Sequence, residues 1–321
     1  MRTPLVFLLV VVLAACAPKS RVSYEGVSVA YEAAGEQLTA EERLKKTLAR
    51  QERTHGGEHL EVALTLYDLG LLAWDAWDIP RAEVFLRRSL TIRERALGGT
   101  HPDVASSQEM LGRVCLARRE YDLADTLLRR SLDIRERVFG TSHSTVGDSL
   151  DALALLAAAQ DDFKDAEALA QRALSIQQAS VESDDEHVVG PLKTLGVIAR
   201  GQGMFCEAEE LYRRALAIEE HALRPSEVRL ASLLNRLAFV LELQDRPAEA
   251  IILERRALSI RERVFGHTGW PVAESLAALS NLHERLGQFA DAEAAHQRAL
   301  AIYQQRQGAA HADVGWSLDL G

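Results

Sequence analysis

Small and apolar positions along the chain fall on one ruler. Ala40, Ala82, Ala124, Ala166, Ala208, Ala250 and Ala292 are spaced 42 residues apart. Seven residues after each comes a second small position, Thr47, Ser89, Ser131, Ala173, Ala215, Ala257 and Ala299, and each of these is followed by a leucine. A third column, twelve residues before the alanines, reads Gly70, Gly112, Ala154, Gly196, Ala238 and Ser280, each preceded by leucine. Between the small positions the apolar residues keep a helical period. Phe85, Leu86, Leu90 and Ile92 recur as Leu127, Leu128, Leu132 and Ile134, with Arg87-Arg88 and Arg129-Arg130 on the opposite side. The pattern predicts two helices per unit. First helices are expected at about 60–75, 102–118, 145–160, 188–201, 228–244 and 271–286, and second helices at about 37–53, 79–96, 121–138, 163–180, 205–222, 247–264 and 289–306. Small residues at fixed register let paired axes approach to about 8 Å, with Gly112 expected to face Ala124. A fixed period of this kind specifies an all-α solenoid of stacked antiparallel helix pairs, not a single globular core.

Composition narrows the partners. The chain has 321 residues, 47% of them hydrophobic and 26% charged, which is ordinary for a folded protein. Its net charge is −10, and Lys and Arg are spread along the repeats, so no nucleic acid partner is expected. The N-terminus differs in kind from the rest. Arg2 precedes an unbroken apolar run at residues 5–15, too short to span a bilayer, and Leu13-Ala14-Ala15-Cys16 follows the pattern of a signal sequence. Those four residues resemble the lipobox of bacterial lipoproteins. The resemblance implies a signal peptide at 1–15, a lipid on Cys16 that anchors the protein to a membrane, and, since Ala17 is not aspartate, an outer-membrane location facing the periplasm, with surface exposure also open. Cys115 and Cys206 lie in different repeats and are expected to be buried small hydrophobes, not a disulfide.

An apolar residue opens most second helices, at Ile79, Tyr121, Phe163, Phe205 and Phe289, with Pro247 in that place once. The order Leu-Gly, short turn, aromatic, Ala and a second small residue resembles the tetratricopeptide repeat. The 42-residue period and loops such as Leu97-Gly98-Gly99-Thr100-His101-Pro102 are similar to the kinesin light chain variety, although the proline that usually ends the second helix is missing. The resemblance implies a right-handed α-solenoid over 36–306. Residues 16–35 then form the lipidated cysteine, a tether and a degenerate first helix, with Val27 and Ser28 in the places of Leu69 and Gly70, and 307–321 form part of a further repeat.

Histidine recurs before the first helices at His59, His101, His143 and His311, with His187 and His267 displaced by two residues. Comb members two helices apart are separated by roughly 16–20 Å, far beyond shared metal coordination, so these residues are expected to shape the turn and no metal is expected. No phosphate-binding glycine loop, Gly-x-Ser-x-Gly or His-Glu-x-x-His is present, and Glu182-Ser183-Asp184-Asp185-Glu186 does not match a calcium loop. No catalytic residue, cofactor or enzymatic activity is expected.

By the same resemblance the first helices line a concave groove. The inward positions would be Tyr67, Leu71, Trp74 and Asp75, then Glu109 and Arg113, Asp148 and Asp151, Lys193, Val197 and Arg200, Asn235, Phe239 and Glu242, and Asn281 and Glu284. They change identity from repeat to repeat, unlike the framework columns. Asn235 and Asn281 can bond a peptide backbone, Tyr67, Trp74 and Phe239 can anchor side chains, and Lys193, Arg200 and Arg113 can meet acidic groups. The expected function is a membrane-anchored scaffold that binds a partner peptide or helix during envelope assembly. Two alternatives stay open. Val314, Trp316 and Leu318 begin a helix that stops at Gly321, which allows self-association through an open C-terminal end, and the chain can also serve as a non-catalytic subunit of an envelope enzyme.

Overall fold

The computed structural model describes residues 39–179 and 185–307. Cys16, the leader, and the segment holding His311, Val314, Trp316 and Leu318 lie outside the described residues. Chain contacts define two units, 1–43 and 44–321, and of the first only 39–43 are described. The described residues form thirteen α-helices and one short 3-10 turn, Asp185–Val188. The helices are α1 (Ala40–His55), α2 (Leu60–Asp75), α3 (Ile79–Leu97), α4 (Pro102–Ala117), α5 (Tyr121–Phe139), α6 (Ser144–Ala159), α7 (Phe163–Ala179), α8 (Val189–Gly201), α9 (Phe205–His221), α10 (Glu227–Leu243), α11 (Pro247–Phe265), α12 (Trp270–Arg285) and α13 (Phe289–Gln307). None of them is long and apolar enough to cross a membrane.

The boundaries follow from local chemistry. Helix α1 starts at Ala40, later than the expected 37, because Thr39 caps it: the Glu42 N–H donates to Thr39 Oγ1 (3.3 Å) and the Thr39 N–H donates to Glu42 Oε2 (2.8 Å). The histidine comb caps α2, α4 and α6. Nδ1 of His59, His101 and His143 accepts from the backbone N–H of Glu61, Asp103 and Thr145 at 3.2, 3.1 and 3.3 Å. Second helices α3, α5 and α11 stop at Gly98, Gly140 and Gly266, whose φ values are 80°, 84° and 69°. Every turn from a first to a second helix also needs a left-handed residue. These are Trp77, Arg119, Asp161, Gly203, Asp245 and Gly287, with φ of 55°, 60°, 62°, 77°, 60° and 70°.

Neighbouring helices pack in order along the stack. The small columns act as predicted, with one change of partner. A Cβ on Gly112 would lie 2.8 Å from the Leu128 side chain, whereas the nearest Ala124 atom, its carbonyl oxygen, is 3.5 Å away. Leu128 therefore fills the notch that Gly112 leaves, and Leu86 does the same at Gly70 (2.7 Å). At Gly196 the filler is Tyr212, whose ring would stand 2.6 Å from a Cβ. Cys115 is buried as expected, but Cys206 is exposed. It sits on the outward face of α9, where the 42-residue comb places Asp122 and Lys164 in the preceding second helices.

A buried polar column runs along the stack, and its arginines fasten a pair to the next. Arg93 and Arg135 are buried near the ends of α3 and α5, and Arg261 holds the same place in α11. Each donates from Nη1 to a carbonyl ten residues on, that of Asp103, Thr145 or Pro271, at 2.9–3.0 Å, and to Ser107, Ser149 or Ser275 at 2.8 Å. Gln177 and Glu219 replace arginine in the two intervening pairs. Gln177 donates to the Ser144 carbonyl (3.0 Å), and Glu219 accepts from Arg229 Nε (2.8 Å). The three arginines and Glu219 are thus spent on the first-helix N-terminus of the following pair, whereas Gln177 turns back to α6, the first helix of its own pair.

Candidate functional site

The concave side carries two charge clusters. The first joins α4, α5 and α6. Glu109 and Asp151 are buried, and Arg113 is largely so. Arg135 Nη1 contacts Glu109 Oε2, Arg113 Nε donates to Glu109 Oε1 (3.2 Å), and Arg113 Nη2 lies 3.7 Å from Asp151 Oδ2. Burial works to raise the Glu109 carboxyl, but Arg135 and Arg113 outweigh it and hold it below the usual range. Asp148, on the rim, accepts from Gln177 Nε2 at 2.9 Å. Loss of hydration against the helix wall, followed by repulsion from the Glu109 carboxylate, pushes its carboxyl up to about 6. Glu109, Arg113 and Asp151, expected to point into an open groove, are instead turned into the wall, where their charges pair with one another and with Arg135, although Asp151 Oδ1 is left without a hydrogen-bond partner.

The second cluster lies where α8, α10 and α12 face the end of α2 across a cavity of about 380 Å³. Lys193 and Arg200 reach it from α8, Asn235, Arg236 and Phe239 from α10, and Trp74 and Trp77 from the first hairpin. The two tryptophan rings are 5.6 Å apart, and the Arg200 guanidinium stands 5.4 Å over the Phe239 ring. The lining holds four cations, Lys193, Arg200, Arg236 and Arg261, against two carboxylates, Asp75 and Glu274. Arg261 is occupied by its carbonyl and serine partners and lies 3.5 Å from Glu274. Among the described residues neither Lys193 nor Arg236 forms an ion pair, and Arg236 Nε is buried without a hydrogen-bond partner. Desolvation, then repulsion from Arg236, lowers the Lys193 ammonium to about 8. The guanidinium groups of Arg200 and Arg236 both lie against the Tyr212 hydroxyl.

The other expected groove residues are committed to the wall in part or lie off the cavity. Tyr67 lies under the Arg93 guanidinium at 4.6 Å, so its ring serves the packing column. Asn235 donates to Glu254 Oε2 (2.9 Å), which commits part of its amide to the wall. Asn281 is half-buried and does not line the cavity. Arg236, Tyr212 and Trp77 are among the cavity residues that the groove columns omit. Arg236 occupies the comb position of Asp68, Met110, Ala152 and Thr194, and Tyr212 that of Leu86, Leu128 and Ala170. The available signal was the change from apolar residues in the preceding pairs to Tyr212 in one column and the single arginine in the other.

The fold is shared by solved structures at low identity. Kinesin light chain-like repeats of Podosopora anserina superpose with TM-score 0.50 at 21% identity, covering 65% of this chain and 99% of that one. BtubC of P. vanneervenii gives 0.54 at 20%, covering 75% and 94%. NprR, solved in complex with its cognate peptide NprX, gives 0.63 at 12%, covering 87% and 81%. No curated protein matches the chain. The tetratricopeptide repeat pattern matches residues 21–95, 78–137, 111–179, 145–221 and 229–305, most of the chain. The 42-residue ruler, the notched glycines and these matches agree: the protein belongs to the tetratricopeptide repeat family, whose members mediate protein–protein interaction.

Proposed function

We propose that the protein is a membrane-anchored scaffold that holds an acidic segment of a partner protein in the cavity between α2 and α8–α12. One observation carries the reading: in a chain of net charge −10, Lys193 and Arg236 face an open cavity without an ion-pair partner among the described residues. Concentrating like charges is unfavourable unless an anion is supplied. The aromatic walls at Trp74, Trp77 and Phe239 add anchoring area and exclude water, which strengthens the charge interactions within. A peptide occupant is in keeping with the fold, since NprR is solved with NprX. In this reading a lipid on Cys16 places the groove at the outer membrane facing the periplasm, and the partner belongs to envelope assembly.

The test is a pull-down from envelope extract with the wild-type chain beside Lys193→Glu, Arg200→Glu, Asn235→Ala in one variant. A partner captured by wild type and lost by the normally folded variant is the expected result. Equal capture by both would move binding away from this groove.

A further inference from the structure

Two of the groove's cations, Arg200 and Arg236, meet at one hydroxyl, that of Tyr212, an arrangement the preceding pairs do not have. In the three preceding pairs the Tyr212 position is Leu86, Leu128 or Ala170, an apolar packing residue. Tyr212 keeps that packing role against Gly196 and carries its hydroxyl through the gap between first helices to the concave side, between Arg200 and Arg236. Lys193 stands close enough to Arg236 to be repelled by it. Carboxylates also face the group: Asp151 from α6 towards Lys193, Glu274 from α12 towards Arg236, and Asp75 from α2 across the cavity. Asp151 is already shared with Arg113, and Glu274 with Arg261. Arg236 Nε is left buried and unpartnered beside the cavity.

The donor set exceeds what one carboxylate can use. A carboxylate brings one charge and two oxygens, whereas a phosphate monoester brings nearly two charges and three strongly accepting oxygens, a match for two guanidinium forks and an ammonium. Resting on the acidic-segment reading above, we propose that Lys193, Arg200, Arg236 and the Tyr212 hydroxyl form a phosphate site, and that the partner segment held in the groove carries a phosphorylated side chain. The phosphoryl group sits between the two guanidinium groups, and the flanking residues lie along Trp74, Trp77 and Phe239.

The test is calorimetric titration of the full chain at neutral pH with an octapeptide centred on phosphoserine and with its aspartate counterpart. The phosphopeptide is expected to bind about tenfold or more tightly than the aspartate peptide. Arg236→Gln and, on the neighbouring helix, Arg200→Gln are each expected to erase that preference while circular dichroism stays that of wild type. Using both keeps a folding defect in one from deciding the result. Equal affinity for the two peptides overturns the phosphate site and leaves the acidic-segment reading standing. A preference that survives both variants places the phosphate elsewhere and overturns the assignment. No binding of either peptide to wild type overturns the acidic-segment reading as well.

Discussion

Two charge clusters occupy equivalent places on the concave side of one repeated scaffold, and they differ in whether their charges are answered. Around α4–α6, Glu109, Arg113, Arg135 and Asp151 close on one another. Around α8–α12, Lys193, Arg200 and Arg236 gather with little answering charge. Both clusters use first-helix positions that vary from repeat to repeat, so variation alone does not mark a binding residue. The answered cluster holds adjacent pairs together. The unanswered one costs the fold electrostatic energy, and the anionic partner proposed above would offset that cost.

Removing a member of the answered cluster is expected to have the largest effect. Glu109→Ala leaves Arg135 and Arg113 facing each other in a buried site and should cost about 3 kcal/mol, read as a shift in the urea midpoint. An unchanged midpoint would mean that the cluster is not structural. Ala166→Phe probes the packing column common to both regions. Ala166 is fully buried, and overpacking should cost about 1–3 kcal/mol in thermal or urea unfolding; no change would defeat the register. The unanswered cluster should respond with the opposite sign. Burial and Arg236 disfavour the protonated form of Lys193, so its cost is fully present below pH 8 and disappears above the unfolded value near 10.5. Lys193→Met is therefore expected to stabilise the protein at pH 7 by about 1 kcal/mol, with the gain shrinking as pH rises through 8–10. The smallest effect is on binding. Lys193 is charged below about 8 and neutral above it, so affinity for an acidic peptide should fall by up to about tenfold between pH 7 and 9 in wild type and stay flat in Lys193→Met.

Much of the scaffold was legible along the chain because packing repeats. The alanine, serine and glycine columns, the helix ranges and the turn-shaping place of His59, His101 and His143 all recur every 42 residues, and the structure adds that these histidines cap the first helices. The Arg93, Arg135 and Arg261 column recurs too, yet a charged residue beside Ile92 or Ile134 reads as the solvent edge of the helix. Only the carbonyl and serine ten and fourteen residues on reveal it as interior. The fate of Glu109 depended on that unseen Arg135. Lys193, Arg200, Trp74 and Phe239 were legible as groove positions, whereas Arg236 and Tyr212 were hidden because they occupy packing columns. Trp77 was hidden for another reason: it stands in a turn, at φ 55°, where an exposed aromatic gives no periodic signal.

The most direct measurement follows the fluorescence of Trp74 and Trp77 while an oligoglutamate peptide is added to the full chain, beside the double variant Lys193→Glu, Arg236→Glu. The account predicts a saturable change in wild type, abolished in the variant while its helical circular dichroism is retained. A change of equal size and affinity in both would contradict the claim that the unanswered cations form the binding site.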